Sequence, residues 1–453
     1  MRAQSEPINP PDPVINTFLF DDDILSNITA RKPLAVQSTL TPTRNGYRIA
    51  LYCSLLGLVL RLAILFGTGL NHKHDRFEMI SVAATFAHTG SLANAYMSMP
   101  TGPTAHVAPL YPILIGTLFR VFGEGEAGEN IRQSLACAIS SLRAGLLVLL
   151  VLALGLGEGT AIAAGLLGAL YIGAFDTELK GDWEGPLAGV LLLALVLWGY
   201  RMIAQRTPGP RESLAHGAAW GTALLVTPSL ALVLVGLAEL AFVVRYRKDP
   251  RRMAVALLCC GLGVLAALSP WIVRNYVRLG GFVWGRDNFG LELSVSNGPG
   301  AHWSNPDNSR RIYSTHPSRY KPEAQKVAAM GEIAYNQERK EQAIHWIRDN
   351  PGEFARLTAQ RAFHFWFPSG RNLAHFTALS ILTSAAFVGL VILARRRSPA
   401  FAIVTVIWLS YPLLYYVIQW SSRYRLPIDW TLLLSAAVAV HAMWPAKSRM
   451  VMK

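Results

Sequence analysis

Charge is what this sequence has least of. Charged residues make up 15% of its 453 positions, whereas soluble domains carry about a quarter. That shortage, with 52% apolar residues, excludes an ordinary soluble domain. Cysteine is sparse too: Cys53, Cys137, Cys259 and Cys260 all lie inside apolar blocks and none belongs to a CxxC pair. A disulfide framework and a thiolate metal site are therefore excluded, and the thiols pack as small hydrophobes. No glycine-rich phosphate loop is present, so no nucleotide site is expected. No secretory leader is expected at the start. Residues 1–47 are polar and Pro-rich with the acidic run Asp21 to Asp23, so the first apolar block reads as a retained span. No internal repeat stands out, which argues against two inverted transporter halves.

What the sequence does have is long apolar blocks, a mean hydropathy of +0.31 and 12 tryptophans. Candidate spans are 50–69, 131–152, 159–175, 186–203, 214–228, 229–244, 252–271, 375–394, 399–418 and 428–445. The expected fold is an all-α polytopic membrane protein of about 10–11 transmembrane helices, since a crossing needs about 20 residues. The pair 214–228 and 229–244 could also be one long helix kinked at Pro228. The formal charge of +14 does not imply a nucleic-acid partner. Its Arg and Lys cluster at block ends (Arg201 to Arg211, Arg245 to Arg252, Arg395 to Arg397, Lys447 to Lys453), as cytoplasmic loops require.

With those clusters inside, residues 70–130, 176–185, 272–374 and 419–427 face outward. The expected organisation is a cytoplasmic segment 1–47, a transmembrane catalytic module 48–271, an extracytoplasmic segment 272–374, C-terminal helices 375–446 and a cytoplasmic tail 447–453. The stretch Pro109 to Phe122 would disturb this sidedness as a full crossing, and is expected as a juxtamembrane or re-entrant helix. In 272–374, a polar Gly-rich stretch leads to helical spacing from Pro322 (Val327, Met330, Ile333, Ala334, Ala343, Ile344, Ile347). Pro351-Gly352 breaks that run before an aromatic-rich stretch to Phe367, which suits a small helical cap at the membrane interface.

Three outer loops could carry chemistry. The first reads NHKHDRFEM: Asp75 and Glu78, three apart, project from the same side of a helix and either could serve as a general base. His72 and His74 with Asp75 are candidates for a divalent cation. The second loop reads FDTELKGDWEGP, with Asp176, Glu178, Asp182 and Glu184; alone it reads as a solvated turn, and Glu184, beside Trp183, is preferred as its functional acid. The last loop, QWSSRYRLP, sets Arg423 and Arg425 between two apolar spans. Outward arginines run against the sidedness bias and make a clamp for a lipid phosphate, whereas the alternative is simple snorkelling. Arg274 and Asn275 raise the same question.

The segments RFEMISVAATFAHTGSLANAY, TGPTAHVAPLYPILIGTLFRVFG, Trp183-Glu184, SPWIVRNYVRLGGFV and SSRYRLPI occur in this order. From about residue 48 onward the chain resembles bacterial polyprenyl-phosphate-sugar-dependent membrane glycosyltransferases of the GT-C superfamily, of the dolichyl-phosphate-mannose protein mannosyltransferase type. The resemblance implies a GT-C-like fold in the bacterial cytoplasmic membrane, with a site on its outer face. It implies inverting transfer from a polyprenyl-phosphate-linked sugar donor to a glycan, lipid or protein acceptor. It also implies a first-loop carboxylate as base, Glu78 or Asp75, with Glu184 as the second acid. Arg423 and Arg425 would meet the lipid phosphate, supported by Arg274 and Asn275, with Tyr111, His106 and Lys180 in the same cleft. The family more often has aspartate in the first loop, so Glu78 is a departure. No cofactor is required by this reading beyond a candidate divalent cation. A transporter or flippase of a lipid-linked glycan is the competing class, and it predicts charges buried near midmembrane. A non-catalytic scaffold would tolerate replacement of Glu78, Glu184 and Arg423.

Overall fold

The computed structural model describes residues 42–443 apart from 75, 172, 174, 247–248 and 370–372. The candidate base Asp75, the side chain of Asp176, most of the 1–47 segment and the 447–453 tail lie outside the described residues.

The described chain is helical: α1 (Arg44–Gly67), α2 (Glu78–Thr89), α3 (Leu110–Phe122), α4 (Glu126–Ala153), α5 (Glu158–Leu170), α6 (Phe175–Lys180), α7 (Gly185–Gln205), α8 (Pro210–Leu224), α9 (Ala231–Tyr246) and α10 (Pro250–Leu279). An outer group follows: α11 (Phe289–Ser296), α12 (Ser309–Thr315), α13 (Lys321–Met330), α14 (Glu332–Asp349) and α15 (Pro351–Trp366). The chain then returns through α16 (Leu373–Arg395), α17 (Pro399–Ser410), α18 (Leu413–Val417) and α19 (Asp429–Met443). Among the described residues, seven helices are long and apolar enough to cross a membrane, and three shorter apolar ones accompany them.

Local chemistry sets the boundaries. Thr43 starts α1 by accepting the Gly46 N–H at 3.2 Å, and Asp249 starts α10 in the same way through Arg252. Pro228 forces Thr227 into extended backbone (φ −149°, ψ 112°). α8 and α9 are therefore two helices, and the single kinked helix is ruled out. α3 has 13 residues, about 20 Å at 1.5 Å each, short of the ~30 Å hydrocarbon core. The sequence places the end of the seventh span at 271, yet α10 runs through Pro270 to Leu279. In the outer segment, Gly331 (φ +84°) ends α13 and divides the single helical run read from 322 to 350.

Apolar side chains face outward on the long helices: on α1, Leu51, Leu55 and Val59 recur every fourth residue in the open, the pattern of a lipid-facing stripe. Small residues let the helices close up behind it. A Cβ at Gly145 of α4 would meet Ala50 O of α1 at 2.7 Å, and one at Gly389 of α16 would meet Ser435 O of α19 at 1.7 Å.

Charge is buried inside this bundle. Glu178 of α6, fully buried, takes Arg61 of α1 at 2.9 Å and Arg143 of α4 at 2.6 Å. The second outer loop is thus not the solvated turn of the sequence reading, because α6 plugs into the bundle to neutralise two guanidinium groups. Arg143 lies well inside α4, so charge is not confined to span ends either. It is sealed by pairing and lines neither of the two cavities described below, unlike the transport path a flippase predicts.

A second core, separate from that of the bundle, unites α2, α3, α11, α13 and α14 through Met79, Ile80, Phe119, Leu291, Val295, Val327 and Tyr335. The first outer loop and the 272–374 segment are therefore one packed body, despite the division expected at 271. An isolated bridge between Ser304 and Trp420, with Trp420 N–H to Trp303 O at 2.7 Å, ties that body to the last outer loop.

Candidate active site

Between this outer body and the bundle lies a cavity of about 880 Å³. Its polar lining comes from all three outer loops: Glu78 and His106 from the first, Lys180 and Glu184 from the second, Arg423 from the last. The outer body adds Arg286, Glu292, His316, Ser318 and Arg319.

Glu78 opens α2, where the positive end of the helix favours a carboxylate. The Ser318 hydroxyl donates to it, and His316 Nδ1 stands 3.9 Å from its Oε1. Burial alone would raise this carboxyl; His316 and the Ser318 hydrogen bond act against it, and the group is held below its usual range. His106 is pushed down to about 3 by burial and is neutral. Its Nδ1 meets the Tyr96 hydroxyl at 3.2 Å, while His316 Nδ1 accepts the Ser318 N–H at 3.1 Å. Each ring is thereby fixed in orientation.

One ligand atom from each of Glu78, His106 and His316 falls within 4.8 Å of the others. Two oriented imidazoles, one of them neutral, and an ionised carboxylate form a donor set that fits a divalent cation. The two histidines read from sequence as cation candidates are placed elsewhere. His72 faces Glu126 at 3.0 Å and His74 faces Glu129 at 3.9 Å, so the two histidines pair with different acids of α4.

Glu184 sits at the N-cap of α7. Arg286 donates to its Oε1, and its Oε2 is buried with no hydrogen-bond partner among the described residues. Arg423 lies 3.4 Å above the Trp183 ring and 5.1 Å from that of Tyr424, so stacking holds the guanidinium in place beside the cavity. Across the cavity, burial raises the Glu292 carboxyl, the reverse of the shift at Glu78.

Four residues read as candidates do not reach this space. Arg425 bonds Asp429 at 2.7 Å and Trp366 O at 2.8 Å, within a buried group that includes Tyr171. Arg274 donates to Thr104 O at 2.8 Å and stacks on Trp271, and Asn275 donates to Val283 O at 2.9 Å. Tyr111 donates to Gly181 O at 2.6 Å. All four fasten loops whose other residues line the cavity. Arg286, Glu292, His316 and Ser318 were not singled out from sequence; they sit in a polar stretch with no motif, and only folding brings them to Glu78 and Glu184.

No protein-family model matches the chain, and no curated protein matches it in sequence. A solved structure is similar: the crystal structure of the Archaeoglobus fulgidus oligosaccharyltransferase complexed with Zn and sulfate, at 12% identity and a TM-score of 0.53. The likeness covers 87% of this chain and 49% of that one, so the chain spans about half the length of the protein it matches. At that identity the likeness is one of fold alone: an all-α arrangement with, among the described residues, seven helices long and apolar enough to cross a membrane.

Proposed function

We propose that the protein is an inverting glycosyltransferase that moves a sugar from a polyprenyl-phosphate carrier to an acceptor hydroxyl on the outer face of the bacterial cytoplasmic membrane. The observation that carries this reading is one cavity holding an ionised, histidine-flanked Glu78 together with the Arg286 and Arg423 guanidinium groups beside Glu184. The fold likeness to an oligosaccharyltransferase supports sugar transfer in general terms.

In this mechanism a first-loop carboxylate, Glu78 or Asp75, removes the acceptor O–H proton. The freed oxygen attacks the anomeric carbon, and the carbon–oxygen bond to the lipid phosphate breaks. The phosphate leaves with the electron pair, and one displacement inverts the anomeric configuration. Arg286 and Arg423 meet the charge that develops on the leaving phosphate, a contribution often larger than any other in catalysis. Glu184 Oε2, without a hydrogen-bond partner among the described residues, orients a sugar or acceptor hydroxyl. A divalent cation held by Glu78, His106 and His316 would supply further positive charge near that phosphate. Glu78 would then be a ligand and Asp75 the base.

The test is transfer by purified protein supplied with polyprenyl-phosphate sugars and a panel of acceptors. Release of lipid phosphate with an inverted glycosidic product is the expected result. A folded protein that transfers from no such donor overturns the assignment.

A further inference from the structure

A second cavity, of about 500 Å³, lies at the far ends of the helices that frame the first. α7 lines the first cavity at Gly185 and the second from Leu195 to Ala204, about 15 to 28 Å further along the helix at 1.5 Å per residue. The second cavity therefore runs from mid-helix to a depth close to the hydrocarbon thickness of a bilayer. The two cavities share no lining residue, so the second opens towards the membrane face opposite the candidate active site.

Its walls are largely apolar and come from six helices, α4, α7 to α10 and α17: Ala153, Leu195, Trp220, Leu237, Met253 and Ile403 represent one helix each. The imidazole in this wall, His216, is already engaged, with Nε2 3.2 Å from Leu195 O and Trp198 packed edge-on at 5.0 Å. Polarity returns at the mouth, where the exposed Arg396 and Arg397 precede Ser398 at the start of α17.

An apolar slot with a cationic mouth at a membrane face selects for an amphiphile with a long apolar tail and an anionic head. A soluble anion would leave the walls unfilled, and a zwitterionic lipid would gain less from the two guanidinium groups. We propose that this cavity binds one acyl chain of an anionic glycerophospholipid from the leaflet opposite the candidate active site, with the headgroup phosphate on Arg396 and Arg397. The lipid braces these helices against one another. This assignment stands on the cavity alone and does not depend on sugar transfer.

The test is native mass spectrometry of the delipidated full chain, titrated with dioleoyl phosphatidylglycerol or dioleoyl phosphatidylcholine. Wild type is expected to bind phosphatidylglycerol about tenfold more tightly or better, from two arginines acting on one phosphate. The double variant Arg396→Gln, Arg397→Asn should lose that preference. Both side chains are exposed, and asparagine tolerates the left-handed backbone at 397 (φ 50°); a thermal melt that matches wild type checks that the variant is folded. Ala238→Phe, which fills the slot, should weaken both lipids. Equal binding of the two lipids by wild type, or a preference that survives in the arginine variant, overturns the proposal. Full competition by glycerol phosphate would reassign the mouth to a soluble anion and overturn it as well.

Discussion

His316 Nδ1 stands 3.9 Å from Glu78 Oε1, joining the α12–α13 connection of the outer body to the first outer loop. This pairing makes Glu78 more than a helix-start carboxylate. His316, with the Ser318 hydroxyl, keeps it ionised in spite of burial.

Replacing Glu78 by Gln should therefore cut transfer by roughly 100-fold or more, the usual scale for a general base, in protein that still melts above the assay temperature. Asp75→Asn measured beside it chooses the base. If Glu78→Gln retains full activity while Asp75→Asn does not, the base is Asp75 and Glu78 serves the histidine cluster.

The same pairing predicts a pH effect. Because the folded-state value of Glu78 is depressed, its contribution to stability is present above the ordinary carboxylate range and is lost as pH falls through the lowered folded value. The acid limb of the rate profile should accordingly lie below about 4.3, the ordinary glutamate value. Replacing His316 by Ala should move that limb upward. A limb unmoved in His316→Ala would show that the imidazole does not tune the carboxylate.

Arg286→Gln should raise the KM for the lipid-linked donor and lower kcat, since it removes a cation from the cavity and leaves Glu184 without its partner. Arg423→Lys should be nearly as harmful, because an ammonium does not stack on Trp183 as a guanidinium does. Arg425→Lys differs in kind. Arg425 is walled into the Asp429 pair, so its loss should appear as lowered melting temperature with kcat of the folded fraction retained. Steady-state kinetics beside thermal melts separates the three.

Arg423 and Arg425 also mark how far the sequence could be read. Blocks of apolar residues locate the helices, because the bilayer demands them whatever the tertiary detail, and loop sidedness collects Glu78, Glu184, His106, Lys180 and Arg423 around one cavity. Which of two neighbouring arginines points inward is a matter of backbone geometry. On the tight turn Ser422–Ile428, with three residues per turn, side chains two apart leave on different sides. The buried trio of Arg61, Arg143 and Glu178 was hidden for another reason. Arg61 and Arg143 are isolated within apolar blocks and Glu178 is one of four acids in its loop, and only the docking of α6 between α1 and α4 joins them. His316 and Arg286 lie in a stretch with no periodicity, where contact with the site is set wholly by tertiary packing.

That trio gives a stability prediction. Glu178→Ala leaves Arg61 and Arg143 facing each other without an anion, and removing one partner of a buried pair costs about 3–5 kcal/mol. A large loss of folded protein in detergent is expected. Adding Arg61→Met and Arg143→Leu to a Glu178→Met variant should restore much of it, since a neutral apolar trio removes the stranded charge. A single Glu178→Ala variant melting with the wild type would mean that the guanidinium groups find other partners.

The outer body carries a carboxyl with the opposite shift. Glu332, fastened to the first outer loop through the Thr104 hydroxyl and the Ala105 N–H at 2.6 Å, is pushed up to about 8 by burial. A folded-state value above the unfolded one means the native state holds the proton more tightly. Its contribution is complete below about 4.3, the ordinary glutamate value, and is lost as pH rises through 8. Asp287, raised by burial to about 6, acts in the same direction over a lower window. The outer body should therefore loosen on the alkaline side. Hydrogen exchange at residues 92–105 and in α14 is expected to accelerate between pH 6 and 9 beyond the intrinsic base-catalysed rise. Glu332→Gln, neutral at every pH, should flatten the upper part of that dependence while leaving the lower part to Asp287. A profile identical to wild type would mean that Glu332 is ionised in the native protein and that its bonds to Thr104 and Ala105 suffice to hold the charge.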